Sequence, residues 1–262
     1  MDYKFKKENY NFWVSRIKSN KPEQICSNDV ALDKIEGLQI LNRLKENSKI
    51  LEIGCGNGLL YKQIRSKFKI SNYVGIDFVQ ELIDICNKEK KEPNDKFFQL
   101  DMTEIKNDQF DDQFDFIISK RAIQNVIDTN LQLEAIDNFG KFLKNDGLMV
   151  LVESSKQAQD NINNLRSKYN LEKILPPFHN LFFDDNAIKD FNFQNVKLEK
   201  MDEFASDFFY ITRLVYAIYS RDYLKEDPNY KHPLQEIALN LTSNKITKEF
   251  SQIKTYIFKK KN

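Results

Sequence analysis

The segment Ile50-Leu51-Glu52-Ile53-Gly54-Cys55-Gly56-Asn57-Gly58 constrains the fold more than any other part of the chain. A hydrophobic strand runs into three glycines at alternate positions, and helical spacing resumes over 58–68. Without Cβ atoms such a turn lets a ligand lie against the backbone, and open α/β sheets bind their ligands at that carboxyl edge of the strands. The rest of the first 155 residues continues the alternation. Strand-like runs at 48–54, 72–77, 96–101, 114–119 and 147–154 interleave with helical patterns at 30–46, 58–68, 79–89 and 130–143. The spacing predicts an α/β fold with βαβ units and a mostly parallel sheet, covered by helices on both faces.

The second half is less regular. A helix is expected at 157–168, a loop holding Pro176-Pro177 at 171–184, and a strand at 195–201. An aromatic-rich helical stretch follows at 204–224, then a short helix near 233–240 and an alternating terminal strand at 251–260. The reading is one domain over 1–262 with a core at 28–155 that holds a cofactor. Insertions at 156–190 and 203–248 serve the acceptor side as a lid, and closing strands lie within 191–202 and 249–260.

Composition excludes several function classes. The 262 residues carry 40 Lys plus Arg against 39 Asp plus Glu, so no general basic field would steer nucleic acid or a membrane surface. Cys26, Cys55 and Cys86 form no CxxC pair, and only two histidines are present, His179 and His232, so no metal centre is expected. No apolar run approaches the roughly 18–20 residues of a membrane span, and MDYKFKKENYNF lacks a signal peptide's apolar stretch. The expectation is a cytoplasmic protein. Its 40 basic residues include only seven Arg.

A nicotinamide-binding GxGxxG turn would need its third glycine at Leu59 and does not call for an acid two residues before the first. Glu52 sits there, suited to the ammonium of an amino-acid-bearing cofactor. Asp77 ends the second strand, where a carboxylate can accept both ribose hydroxyls. Asp101 and Met102 end the third, placing an acid near an adenine amine and an apolar side chain against its ring. Each acid singly also suits an ordinary strand-end turn; three at successive strand ends are harder to ascribe to chance.

On these segments the chain resembles the class I S-adenosylmethionine-dependent methyltransferases. ILEIGCGNG is similar to their first motif, YVGIDFVQELI to their second and FFQLDMTEI to their third. FDFIISKRAIQNV and FLKNDGLMVLVES are similar to the regions around their fourth and fifth strands. The resemblance implies a Rossmann-like seven-stranded sheet whose last strand is antiparallel, with S-adenosylmethionine as cofactor and S-adenosylhomocysteine as product. It implies that Glu52, Gly54, Gly56 and Gly58 hold the methionine part, Asp77 the ribose and Asp101 with Met102 the adenine. Cys55, Phe78 and Ser119 belong to the same set. Tyr10, Trp13 and Arg16 share a helical face, and family members often fold such a helix over the cofactor, so Trp13 covers it or simply docks the helix.

The Asp/Asn/Ser-Pro-Pro-aromatic motif of enzymes that methylate base amines is absent, because Ser119-Lys120-Arg121-Ala122 stands in its place; no Pro-Cys nucleophile exists either. The second half resembles a bacterial subgroup that occurs with surface-polysaccharide biosynthesis. The resemblance rests on Arg121-Ala122-Ile123-Gln124-Asn125, Glu153, Asn163-Asn164-Leu165-Arg166 and Pro176-Pro177-Phe178-His179-Asn180. Phe178 stands where that subgroup often has Trp. The small-molecule acceptor implied is a sugar, nucleotide sugar or phosphorylated precursor, including phosphoramidate types, of a capsule or lipopolysaccharide, methylated on oxygen. His179 is the candidate base, with a solvated loop histidine as the plain alternative. Arg121 and Arg166 are candidates for an anion, since a guanidinium fork binds two oxygens at once. Glu153, Asn163, Asn180, Tyr210 and Arg213 complete the acceptor set, although 204–224 also reads as a core helix with one snorkelling Arg. An N-methyltransferase and a noncatalytic cofactor-binding scaffold remain alternatives.

Overall fold

A computed structural model of the chain describes residues 3–111, 113–242 and 247–261, so part of the expected 203–248 insertion lies outside the described residues. The seven strands are β1 (Lys49–Ile53), β2 (Asn72–Asp77), β3 (Lys96–Gln99), β4 (Phe114–Lys120), β5 (Leu143–Ser154), β6 (Val196–Glu203) and β7 (Ile253–Lys260). They form one sheet in the order β3-β2-β1-β4-β5-β7-β6. The first five pair in parallel, and β7 runs antiparallel to both β5 and β6. The mostly parallel sheet expected from the alternation is therefore present, as are the Rossmann-like seven strands and the reversed last strand that the resemblance implies.

The strands read as continuous apolar runs because both faces are covered. On one face, Leu32, Ile35 and Ile40 of α2 (Val30–Leu41) and Leu60 and Ile64 of α3 (Leu59–Lys67) pack with Ile50, Ile118 and Val150. On the other, Leu133, Ile136 and Phe139 of α5 (Thr129–Gly140) pack with Leu51, Ile117 and Leu151. Burying each such side chain contributes about 1.5–3 kcal/mol. Side-chain caps set where the helices begin: Asp29 accepts from Leu32 N at 2.9 Å, and Asp128 accepts from Leu131 N at 3.0 Å.

The remaining helices are α1 (Tyr3–Ser19), α4 (Gln80–Glu89), α6 (Lys156–Lys168), α7 (Asp185–Asp190), α8 (Ser206–Tyr210), α9 (Tyr216–Tyr219) and α10 (Pro233–Leu239). Several features differ from expectation: α2 ends at Leu41 rather than 46, and α7 falls where no helix is expected. The 204–224 stretch is not one α-helix, because π-helical turns at Ile211–Val215 and Ser220–Leu224 interrupt it. Strand β5 begins at Leu143 rather than 147, because Leu143 pairs with Phe114 before an irregularity in the β4 register. His232 caps α10, its Nδ1 accepting from Leu234 N at 3.2 Å. Among the described residues no helix is long and apolar enough to cross a membrane.

Candidate active site

The glycine turn after β1 is shaped by its neighbours. Gly54 has φ +69° and Gly56 φ +53°, a region that side chains rarely adopt. A Cβ on Gly54 would lie 2.1 Å from the Ala122 Cβ, and one on Gly56 would lie 2.6 Å from the Cys26 Sγ. Asp77, at the end of β2, accepts the Gly56 N–H at 2.9 Å and the Val79 N–H at 3.0 Å. Beside this turn lies a narrow slot of about 100 Å³, walled by Gly54, Asp77, Phe78, Leu82 and Met102. Helix α1 closes over it. Lys6 pairs with Asp101 at 2.7 Å, Tyr10 donates to Glu81 at 2.6 Å and sets its ring edge against Phe78, and Trp13 joins the slot wall.

Not every residue expected here faces the slot. Glu52 is buried, accepts from the Tyr73 hydroxyl and is absent from the wall; burial pushes its carboxyl up to about 8. Asp101 is taken by Lys6 and by Thr103 N and Oγ1. Burial opposes its charge, but those bonds prevail and hold it below the usual carboxylate range. Cys55, Gly58 and Ser119 also lie outside the wall.

A larger cavity of about 670 Å³ adjoins the slot. Trp13, Cys26, Arg121 and Asn125 line both spaces, so the two meet there. His179 lines the larger one and is 8 % exposed, which removes the solvated-loop alternative. Its ring stacks on Phe12 at 4.3 Å and meets the Trp13 edge at 5.4 Å, and its Nδ1 is buried without a partner. Burial, then the charge of Arg16, push its pKa down to about 4, so the imidazole is neutral at pH 7. Asn125, Asn180 and Gln235 line the same cavity, each with a buried side-chain oxygen that has no partner.

Acidic side chains at the cap and along one face of α2 order cations of both spaces, Arg213 and Arg121 in the cavity and Lys120 in the slot. Asp29, Asp33 and Glu36 fall on successive turns and meet Arg213 at 2.6 Å, Lys120 at 2.5 Å and Arg121 Nε at 3.0 Å. The Arg121–Glu36 contact is an ion pair without hydrogen-bond alignment. Burial still raises Glu36 to about 7 despite Arg121.

Three expected acceptor contacts are corrected. Glu153 is fully buried and does not reach the cavity. Its Oε1 accepts from Ser119 Oγ at 2.9 Å and from the N–H groups of Ala122 and Ile123 at 3.1 Å, and its Oε2 from Gln124 N at 3.3 Å. It therefore anchors the turn after β4 that carries Arg121 and Asn125, and burial raises it to about 7 despite those bonds. Asn163 clamps the backbone N–H and C=O of Ile174. Tyr210 packs on Phe250 and does not line the cavity that Arg213 reaches, and the π turn that begins after it changes the angular spacing between them.

Asp29, Phe12, Asn125, Tyr230 and Gln235 are cavity residues that sequence reasoning did not select. The acidic stripe at 29, 33 and 36, at the cap and on one face of a largely apolar helix, is the available signal for the first.

A family model described as Methyltransferase domain matches residues 44–182, more than half of the chain. The chain belongs to this methyltransferase family. S-adenosylmethionine is its cofactor, and the side chains that wall the slot suit parts of that group. Phe78, Leu82 and Met102 supply apolar walls for a flat ring, and Asp77 supplies a carboxylate at the strand end. The slot is smaller than the roughly 300 Å³ or more of small-molecule sites, with α1 lying over it. Malonyl-[acyl-carrier protein] O-methyltransferase of Bacillus anthracis is 28 % identical over 39 % of this chain and 36 % of its own length. Ubiquinone biosynthesis O-methyltransferase of Bartonella tribocorum is 32 % identical over 40 % of each. The match thus spans well under half the length of these curated relatives. The fold is similar to a chain in the complex between the Haloferax volcanii Trm112 methyltransferase activator and a putative methyltransferase, with TM-score 0.60, 13 % identity and 97 % of each chain covered. It is also similar to the N-methyltransferase NodS of Bradyrhizobium japonicum, with TM-score 0.56 and 12 % identity over 96 % of this chain and 100 % of that one.

Proposed function

We propose that this methyltransferase acts on an oxygen of a small, polar, anionic metabolite in the cytoplasm: a sugar, nucleotide sugar or phosphorylated precursor of a capsule or lipopolysaccharide. The observation that carries the reading is the meeting of the narrow slot with a polar, Arg-lined cavity at Trp13, Cys26, Arg121 and Asn125. The names of the curated relatives, both O-methyltransferases, support oxygen as the acceptor atom. Residues 28–155 form the cofactor-binding core, and 156–190 with 203–248 form the acceptor side.

The cofactor supplies a methyl group already activated on sulfonium, so the protein's work is alignment and exclusion of water. Gly54 and Gly56 hold the turn open to the methionine part, Asp77 faces the ribose, and Phe78 with Met102 flank the adenine. Trp13 separates the slot from bulk water and backs His179. On the acceptor side, Asn125 and Asn180 accept hydrogen bonds from the acceptor, and the Nδ1 of His179 takes the hydroxyl proton as oxygen attacks. Arg121 stiffens the junction through Glu36.

An acceptor that is already an oxyanion needs no base. The low His179 pKa favours this second form of the same reaction, because a weakly basic imidazole assists proton removal less. Incubation with methyl-labelled cofactor and a panel of nucleotide sugars and phosphorylated metabolites, followed by mass analysis, tests the reading. An O-methylated product is expected. Methylation only on nitrogen, or no transfer from a cofactor that binds, would replace it with one of the alternatives.

A further inference from the structure

Four of the chain's seven Arg line the larger cavity, and their neighbours distinguish them. Arg121 lies against Glu36 at 3.0 Å and Asp33 at 3.9 Å, so carboxylates already offset its charge. Arg16 is spent on fixing the loop that leads to α2, donating to the carbonyls of Ile25 and Gln24 and to Asn28 Oδ1. Arg166 and Arg213 are different. Arg166, in the last turn of α6, is 9 % exposed, and its bonds run from Nε to the Glu172 carbonyl at 2.9 Å and from Nη1 to the Arg213 carbonyl. Among the described residues no carboxylate lies within ion-pair distance of it, and Glu172 acts on it only through its charge. Arg213 gives Nη2 to Asp29 at 2.6 Å and lies 5.4 Å over the Tyr230 ring and 5.7 Å over Phe209.

We propose that Arg166 and Arg213 together form the subsite for a phosphate-type oxyanion of the acceptor, and that this pair, not Arg121, selects the acceptor's charge. The inference rests on the methyltransferase reading above and deepens it. Among the described residues Asp29 is the one carboxylate paired with either guanidinium, and it meets Arg213 alone, with Glu172 acting on Arg166 through its charge at longer range, so the pair carries a surplus positive charge at a half-open cavity. A buried cation without a counter-charge is costly, and a ligand's anion removes that cost. Each side chain is held rigid while keeping donors uncommitted: among the described residues, Arg166 Nη2 and Arg213 Nε and Nη1 make no hydrogen bond to protein. A carboxylate offers two oxygens, enough for one fork. A phosphate group, with three free oxygens, can engage both. An independent observation also points to a ligand here. Gln235, only 3 % exposed, lines the same cavity with its Oε1 lacking any partner, as suits an acceptor that has hydroxyl donors beside its phosphate. Burial, and then the charge of Arg213, lower the pKa of Arg166, consistent with two cations near one another.

Calorimetric titration of the full chain with pyrophosphate, with acetate and separately with S-adenosylmethionine tests this. Wild type is expected to bind pyrophosphate and not acetate. Arg166→Gln and Arg213→Gln should each weaken pyrophosphate at least tenfold, and Arg166→Lys should weaken it less. Arg221→Gln, at an exposed side chain paired with Asp222 outside the cavity, should leave it unchanged. Cofactor affinity should stay within about twofold throughout. If thermal unfolding shows that Arg166→Gln does not fold, Arg213→Gln carries the test. No binding of pyrophosphate by wild type, equal binding of acetate, or equal losses in Arg221→Gln would overturn the subsite. Arg-dependent pyrophosphate binding without cofactor binding would instead sink the methyltransferase reading and leave the subsite standing.

Discussion

Replacing His179 by Phe separates packing from proton transfer. The phenyl ring keeps the stack on Phe12 and the edge contact with Trp13 and removes the Nδ1 that is buried without a partner. Leaving such an atom unsatisfied costs about 1–3 kcal/mol, so the variant is expected to melt at or above the wild-type temperature. Turnover should fall. A positioned base contributes about 10²–10⁴-fold, or roughly 3–5 kcal/mol of barrier. Cofactor affinity should hold, because His179 does not line the slot. With a pKa of about 4, the free enzyme has only about 0.1 % of His179 protonated at pH 7. The acid limb of kcat/KM should therefore lie near 4, well below the 6.5 of an ordinary histidine. A bound anion favours imidazolium, so the limb in kcat should sit higher. Single-turnover transfer from labelled cofactor between pH 4 and 8 measures both. Turnover of the Phe variant within threefold of wild type, or a kcat/KM limb at 6–7, refutes the role.

Gly54→Ala should abolish cofactor binding by calorimetry and lower the melting temperature, because its Cβ would collide with Ala122 at φ +69°. The double variant Lys6→Ala/Tyr10→Phe removes the bonds from α1 to Asp101, Glu104 and Glu81 beside the slot and should speed cofactor release about five- to tenfold in stopped flow. Glu36, Glu52 and Glu153 all have folded pKa values raised to about 7–8 by burial. Their contribution is complete below about pH 4.5 and is lost as pH rises through 7–8, by at most about 1.4 kcal/mol per unit for each group. Urea midpoints should fall from pH 5.5 to 8.5, and Glu52→Gln should flatten that slope; a midpoint that rises would contradict the burial argument.

The strands and the glycine turn were legible because a sheet covered on both faces writes itself as uninterrupted apolar runs, as in β1 and β4. The Arg placements were legible too: Arg121, Arg166 and Arg213 all reach one cavity. What failed was facing. Glu153 sits at the right strand end, but its two oxygens turn toward backbone N–H groups that sequence cannot locate. Tyr210 and Arg213 share a face only if every turn is α-helical, and nothing in FFYITRLVYAIY announces a π turn. The sequence places Arg16 on a helix face, but its arrival in the cavity depends on where α1 docks.

Among the described residues strand β7 follows the other elements in chain order, yet it lies between β5 and β6 and is the one sheet neighbour of β6. A growing polypeptide can assemble β1 to β5 and their helices as it emerges, but it must hold one sheet edge open until residues 253–260 arrive. Open edges recruit other strands, so the interval before β7 docks is the one most exposed to aggregation. Ile253 and Gln252 also wall the larger cavity. The acceptor chamber is thus completed by the latest strand of this sheet, and a chain halted before it would own the glycine turn but only part of the chamber it serves.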